Sequence, residues 1–406
     1  MQLKGVLNQA KIARSEFLPA FVIVVNSFTW YSVISAVFAE TVNGLEIATL
    51  EIFLLFGTFY AGIAVSAIVG SMLFVYNRRF SLFMWILMGI TASLLLGTIG
   101  TGIYAIALAV SLFLGVSIGI GLPSCLAYFA DLTKIDNRGL FGGITYGVSA
   151  VGIFFLAYIS SILSSSMAIL MLAIWRSLGL AILLFLMKKE ILPKTQIVPS
   201  FFSILSSRRV VLYLAPWIMF CLVNWTEAPL LGKLFGDFYD FVVFVEFAIS
   251  GIFTIIGGIF ADLVGRKRVI IAGFIMLGIE YATLSLLSEI QMSYYLYVVL
   301  DGASWGMLSV VFFMVLWGDL AENMKREKYY VIGGLPYLLG SFASILIKPY
   351  IEVINISTAF SLASFFLFLA VLPLMYAPET LPEKQIRERE LKGYIEKAKK
   401  VKEKYA

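Results

Sequence analysis

From residue 17 onward, apolar residues run in blocks of about twenty, and polar or charged residues gather between them. Twelve such blocks fall at roughly 17 to 39, 50 to 74, 80 to 98, 102 to 129, 139 to 162, 166 to 187, 210 to 231, 241 to 261, 269 to 287, 294 to 317, 330 to 352 and 357 to 376. Each is long enough to cross the bilayer core as a helix, which takes about 20 apolar residues. The pattern predicts an all-α integral membrane protein of twelve transmembrane helices. The joins are short and leave no room for a separate soluble domain. Residues 1–16 lead straight into a full-length span, so no cleavable leader is expected.

The blocks repeat. Gly258 to Arg268 reads GIFADLVGRKR, an apolar run that stops at Asp262, turns through Gly265 and continues into three cations, Arg266, Lys267 and Arg268. Aligning Gly70 with Gly258, 188 residues apart, puts Asn77 on Gly265, Arg78 on Arg266 and Arg79 on Lys267, with Phe74 in the place of Asp262. The same offset pairs Asp131 with Asp319 and Arg138 with Arg326. Two halves sharing one register predict two bundles of six helices related by an axis along the membrane normal. The bundles are expected at 1–187 and 210–376, joined by a Pro- and Ser-bearing linker at 188–209 and followed by a charged tail at 377–406. In the tail Glu383 and Arg387, Glu388 and Lys392, and Glu396 and Lys400 have helical i,i+4 spacing.

Composition sharpens this picture. With 61% hydrophobic and 14% charged residues, no water-soluble surface can be assembled; the mean hydropathy is +0.95. The net charge of +5 is not a nucleic-acid patch, because 27 of the 30 Lys and Arg fall in segments on one side of an even-numbered bundle. The positive-inside rule then predicts a cell-membrane protein with both termini cytoplasmic. Cys125 and Cys221 sit singly inside apolar spans and read as small core residues. The chain has no histidine and no GxxxxGK(S/T) loop, which excludes imidazole catalysis, histidine-ligated metal and self-powering by nucleotide. No enzymatic chemistry and no cofactor are expected. GVSIGIGLPS at 115–124 lies within a span and reads as helix packing, as does the small-residue run Gly57, Ala61, Gly62, Ala64, Ser66, Ala67 and Gly70 in the second span.

The pattern G(x)3D(x)2GR(K/R) between two spans resembles the loop signature of the major facilitator superfamily. YFADLTKIDNRG and WGDLAENMKREK each place an acid seven residues before an arginine, and Pro378, Glu379 and Thr380 follow the last span. These features resemble the sugar-porter branch. The branch's first-span acid, its PESPR motif after the sixth span and its paired glutamines in the seventh are not intact: the corresponding stretches offer Asn26, MKKEILPKT and FCLVNWTEAPLL. The resemblance implies the major facilitator fold, with the first, fourth, seventh and tenth spans lining a central pathway. It further implies a secondary transporter, expected as a monomer in the lipid bilayer, that moves a small polar organic solute such as a sugar or organic acid by alternating access. Two alternatives stay open. One is a drug or metabolite exporter, whose fifth span typically carries a Gly-Pro motif absent from residues 139–154 here; the other is a non-transporting receptor or scaffold.

Charges inside spans mark candidate sites, since each costs about 2.5 to 3.5 kcal/mol on insertion scales. Arg176 and Glu280 fall on supporting helices and read as structural partners, and Glu246 and Lys348 are further intramembrane charges. Asp301, with Trp305 one turn further on the same face, is the candidate for contacting solute and coupling to protons, completed by Glu227, Asn224, Asn26 and Trp30. The polar first span (Asn26, Ser27, Thr29, Trp30, Tyr31) is expected to face a cavity or another helix. For the gate, Asp131 with Arg138 and Asp319 with Arg326 are expected to pair across the cytoplasmic mouth, with Asp262 near the start of the fifth helix. Gly265 and Arg266 belong to the same gate, as do Gly70 and Arg78 in the first half. Because Phe74 replaces the first-half acid, the two halves are expected to latch asymmetrically.

Overall fold

The computed structural model describes residues 14–73, 77–186, 197–382, 391 and 395. Phe74, the linker stretch 188–196 and the spaced charges of the tail lie outside the described residues. Twelve helices long and apolar enough to cross a membrane occupy the twelve predicted blocks: α1 Phe17–Asn43, α2 Thr49–Leu73, α3 Arg78–Thr101, α4 Tyr104–Leu132, α5 Arg138–Ile162, α6 Ser165–Leu186, α7 Arg208–Phe238, α8 Phe241–Val264, α9 Arg266–Leu287, α10 Gln291–Leu320, α11 Glu327–Tyr350 and α12 Ile356–Tyr376. The chain is a multi-pass membrane protein. Large apolar side chains such as Val65, Phe155, Ile174, Phe185, Leu286 and Phe365 point outward, as a lipid-facing surface requires.

The helices form two bundles with the same internal contacts. In the first, α2 packs on α4, α3 on α6, and α1 on both α5 and α6; in the second, α8 packs on α10, α9 on α12, and α7 on both α11 and α12. The bundles meet through α5 against α8 and α2 against α11, which are each other's counterparts under the 188-residue offset.

Small residues set the closest crossings. A methyl group on Gly115 would fall on the Phe59 carbonyl, and one on Gly70 would fall on the Ile120 carbonyl, so α2 and α4 approach at backbone distance. Gly70, a candidate for the gate, therefore sits in a helix crossing. Gly139 of α5 and Gly258 of α8 meet in the same way at the seam between bundles.

Several helices depart from regular geometry, among them three that line the cavity between the bundles. α4 is interrupted between Gly119 and Leu122, ahead of Pro123. α7 carries Pro216 and Pro229. α10 contains a π-helical turn, Val310–Val315, in which every side chain is buried. Such turns recur where a helix serves a site, and this one separates Asp301 from Asp319. The second part of the linker, residues 197–209, contains the short helix Phe201–Leu205 and is tied to the start of α11 by Lys328 Nζ donating to the Pro199 carbonyl at 2.8 Å.

Candidate functional site

A cavity of about 490 Å³ lies between the bundles. It is lined by α1, α2, α4, α5, α7, α10 and α11, a wider set than the four lining helices that the family resemblance implied. Asn43 at the end of α1 and Ser344 and Lys348 at the end of α11 mark its mouth, on the face opposite the basic loops. Midway along it the lining is aromatic: Tyr146 stacks on Phe313 with centroids 5.6 Å apart, and Phe313 meets Tyr337 edge-on at 4.9 Å. Phe28 completes this cluster from α1, and Tyr330 and Val331 line the cavity closer to the basic face. The four rings come from α5, α10, α11 and α1, so both bundles contribute to one surface.

The six residues expected to contact solute lie elsewhere; none lines this cavity. The phase of α1 explains two of them. Phe28, Tyr31, Ser32, Ser35, Ala39 and Asn43 share the stripe that faces the cavity, whereas Asn26 and Trp30 lie on the stripe turned toward α3 and α6. Asn26 Nδ2 donates to the Trp175 carbonyl at 2.6 Å, and its Oδ1 accepts from Arg176 at 3.1 Å. Trp30 Nε1 donates to Ser93 Oγ at 2.8 Å. Arg176, fully buried, also donates to Ser27 at 2.8 Å and lies between the rings of Trp30 and Trp85, 4.8 and 4.3 Å from their centroids. Cation–π contact and interhelical hydrogen bonds thus hold this charge in place of an ion pair.

In the second bundle, Asp301 is buried beside Glu246 of α8, Glu280 of α9 and Tyr297 of its own helix. Trp305 packs edge-on against Phe220 at 5.0 Å and against Tyr337 at 5.9 Å, so it touches the cavity wall from behind. Glu227 is buried, while Asn224 is half-buried; their neighbour Trp225 is the residue of α7 that reaches the cavity. Among the described residues, no Lys or Arg pairs with Glu246, Glu280 or Asp301, and no group of three or more His, Cys, Asp or Glu is placed to hold a metal ion. Cys125 and Cys221 are both buried and free.

Below the cavity, on the basic face, the candidate gate residues converge, but the pairing differs from the expected one. Arg138 pairs with Asp319 and Arg326 pairs with Asp131, each across the two bundles instead of within its own loop. The helix ends account for the exchange. Arg138 spends Nη2 on the Ala130 and Thr133 carbonyls at 2.8 and 3.1 Å, closing the C-terminus of its own α4, which leaves Nη1 free for the opposite bundle. Arg326 does the same for α10 through the Gly318 carbonyl at 3.2 Å. Burial, with Arg78 nearby, holds the Arg326 guanidinium below its ordinary value.

Asp319 also accepts from Arg266 Nε at 2.9 Å, and Arg266 reaches Asp262 at 3.1 Å. Asp262 in turn accepts from the backbone N–H groups of Gly139 and Leu140 at 2.9 and 2.7 Å, so it sits on the positive end of the α5 dipole. Gly265 turns with φ of 106°, a conformation that disfavours any side chain. Opposite it, Glu379 accepts from the backbone N–H groups of Arg266 and Lys267 at 2.9 and 3.1 Å and so caps α9. The Pro-Glu-Thr element after the last span thus has a mechanical task that its sequence did not disclose.

The first-half cluster is built differently. Arg78 pairs with Asp131 at 2.8 Å and with Glu327 at 2.9 Å. Glu327 occupies the register position of Gly139, at the start of α11, and is fully buried. Each cluster therefore holds two arginines and two acids: Arg138 and Arg266 with Asp262 and Asp319, and Arg78 and Arg326 with Asp131 and Glu327. The asymmetry expected from Phe74 is offset by an acid from the other bundle, a residue that sequence reading passed over. Its signal was its place immediately after Arg326.

No protein-family model matches this chain, and no curated protein matches its sequence. Solved structures do match. The human organic anion transporter MFSD10 (TETRAN) superposes with a TM-score of 0.67 at 14% identity, covering 89% of this chain and 99% of that one. The proton:xylose symporter XylE, bound to 6-bromo-6-deoxy-D-glucose, superposes with a TM-score of 0.70 at 14% identity, over 91% of this chain and 97% of that one. A double-tryptophan variant of XylE gives 0.69 at 16% identity, over 93% and 98%. The chain has the major facilitator fold, with twelve helices in two pseudo-symmetric six-helix bundles.

Proposed function

We propose that this protein is a secondary transporter that moves a small organic solute through the central cavity by alternating access. The observation that carries the reading is a single cavity between two bundles, open on one face and closed on the other by ion pairs that cross the bundles. Pairs of this kind can break and re-form as the bundles rock. The residues 1–187 and 210–376 are the rocking units, 188–209 their linker and 377–406 a tail. By their names one of the similar transporters carries organic anions and the other xylose with protons, which favours a sugar or an organic acid. Uptake of labelled sugars and organic acids into proteoliposomes, with and without a pH gradient, tests the reading; no flux of any of them would count against it.

The basic face is the cytoplasmic one in this reading, the protein lies in the cell membrane, and the monomer is the transporting unit. A cysteine at Ser206 is expected to react only with reagent on the cytoplasmic side, and one at Asp237 only from outside. The reverse labelling would invert every statement about direction.

Proton coupling is the finer part of the proposal. Glu280 and Asp301 are buried and Glu246 is half-buried; with no paired cation among the described residues, this group is stabilised by sharing protons, because burying adjacent negative charges is costly. Asp301 is central to that group, and Trp305, one turn further along α10, packs against Tyr337 of the cavity wall. In the Asp301→Asn protein, solute exchange is expected to survive while solute-driven proton uptake disappears. Wild-type behaviour in both assays would remove Asp301 from coupling.

A further inference from the structure

Resting on the transport reading of this cavity, we propose that its solute is an organic anion bearing an aromatic ring, with the ring on the Tyr146, Phe313 and Tyr337 cluster and the acid toward Lys348.

The lining carries the chemistry. Among the described residues that line the cavity, Lys348 is the one charged side chain and none is Asp or Glu. A cationic amine would find π-faces but no counter-charge, and would meet an ammonium at the entrance. Sugars are poorly matched as well, since their hydroxyls are held by carboxylates and carboxamides, and Asn43 at the mouth is the only such side chain in the lining. Tyr146, Phe313 and Tyr337 instead offer stacked and edge-on surfaces to a flat ring.

Trp225 of α7 lies against Tyr337 at 5.3 Å and extends this aromatic lining.

Geometry sets the length. Tyr337 and Lys348 are eleven residues apart on α11, about 16 Å along the axis at 1.5 Å per residue. α11 starts at the basic face, and helical side chains lean toward their N-terminus, so the Lys348 stem leans down into the cavity. Allowing roughly 6 Å for that stem leaves about 10 Å between the Tyr337 ring and the ammonium, the length of an arene joined to an acid by a short chain.

The test uses the full-length protein in nanodiscs with 3-phenylpropionate, its neutral amide, 3-phenylpropylamine and D-xylose, with binding read calorimetrically. Propionate is expected to bind about three- to fivefold more tightly than the amide, the range of an exposed ion pair, with amine and xylose weaker than both. Lys348→Gln is expected to erase the difference between acid and amide while leaving amide binding intact, and Lys348→Arg to restore it. Tighter binding of the amine or of xylose, or an acid preference that survives Lys348→Gln, would overturn the proposal. Counterflow in proteoliposomes separates the two claims. Movement of xylose without phenylpropionate would overturn this inference and leave transport standing, whereas tight binding of phenylpropionate that is never moved would support the inference and overturn transport.

Discussion

Asp319→Asn is expected to open the basic face of this protein. Asp319 pairs with both Arg138 of the first bundle and Arg266 of the second, and all three side chains are buried. Without its charge, two guanidiniums stay in the seam and lose the carboxylate that bridges them. Removing one partner of a buried ion pair costs about 3 to 5 kcal/mol, and that loss falls on the closed state, because in the open state water reaches these groups. The ratio of open to closed should rise at least about a hundredfold. Spin labels at Lys134 and Asn323, which flank the gate from opposite bundles, report it: a short distance in the wild type should give way to a longer one in the variant. An unchanged distance distribution would mean that the pairs do not hold the gate.

The second large effect concerns Glu327. If the two clusters are equivalent latches, Glu327→Gln should impair transport and widen the same label pair about as much as Asp262→Asn does, each by at least about tenfold. Arg78 and Glu327 are paired at 2.9 Å with almost no exposure on either side, so little solvent screening weakens the loss. Transport assays of the two single variants side by side decide the matter. A severe Asp262→Asn defect beside a silent Glu327→Gln would restore the asymmetric latch that Phe74 suggested.

That contrast shows where the sequence was legible. The twelve spans, the 188-residue register and the residues at the basic face could all be read, because apolar length and loop charge are one-dimensional signals. The pairing could not. Arg138 lies seven residues from Asp131 and the same spacing recurs at Asp319 and Arg326, so local and exchanged pairings satisfy the sequence equally; the choice turns on the carbonyls at the ends of α4 and α10, which compete for each arginine. The cavity was hidden for a related reason. In α1 two polar stripes exist, Asn26 with Trp30 and Ser32 with Ser35, and nothing in the spacing says which one faces Arg176. Trp225 was missed beside Asn224 because ionisable and carboxamide groups were weighted above an indole, although the indole is the side chain of α7 in the cavity wall. Asp301 stood out correctly as a buried acid, but its neighbours Glu246 and Glu280 come from two other helices, and only packing brings them together.

The account stands on one cavity that is open to one side at a time. A cysteine at Ala36, an exposed position on the cavity lining, with the native Cys125 and Cys221 buried, gives the most direct reading of it. In sealed vesicles, membrane-impermeant maleimide is expected to label that cysteine only from the face opposite the basic loops in otherwise wild-type protein, and also from the basic face once Asp319→Asn is added. Labelling from both faces without that substitution, or from one face regardless of it, would contradict the account.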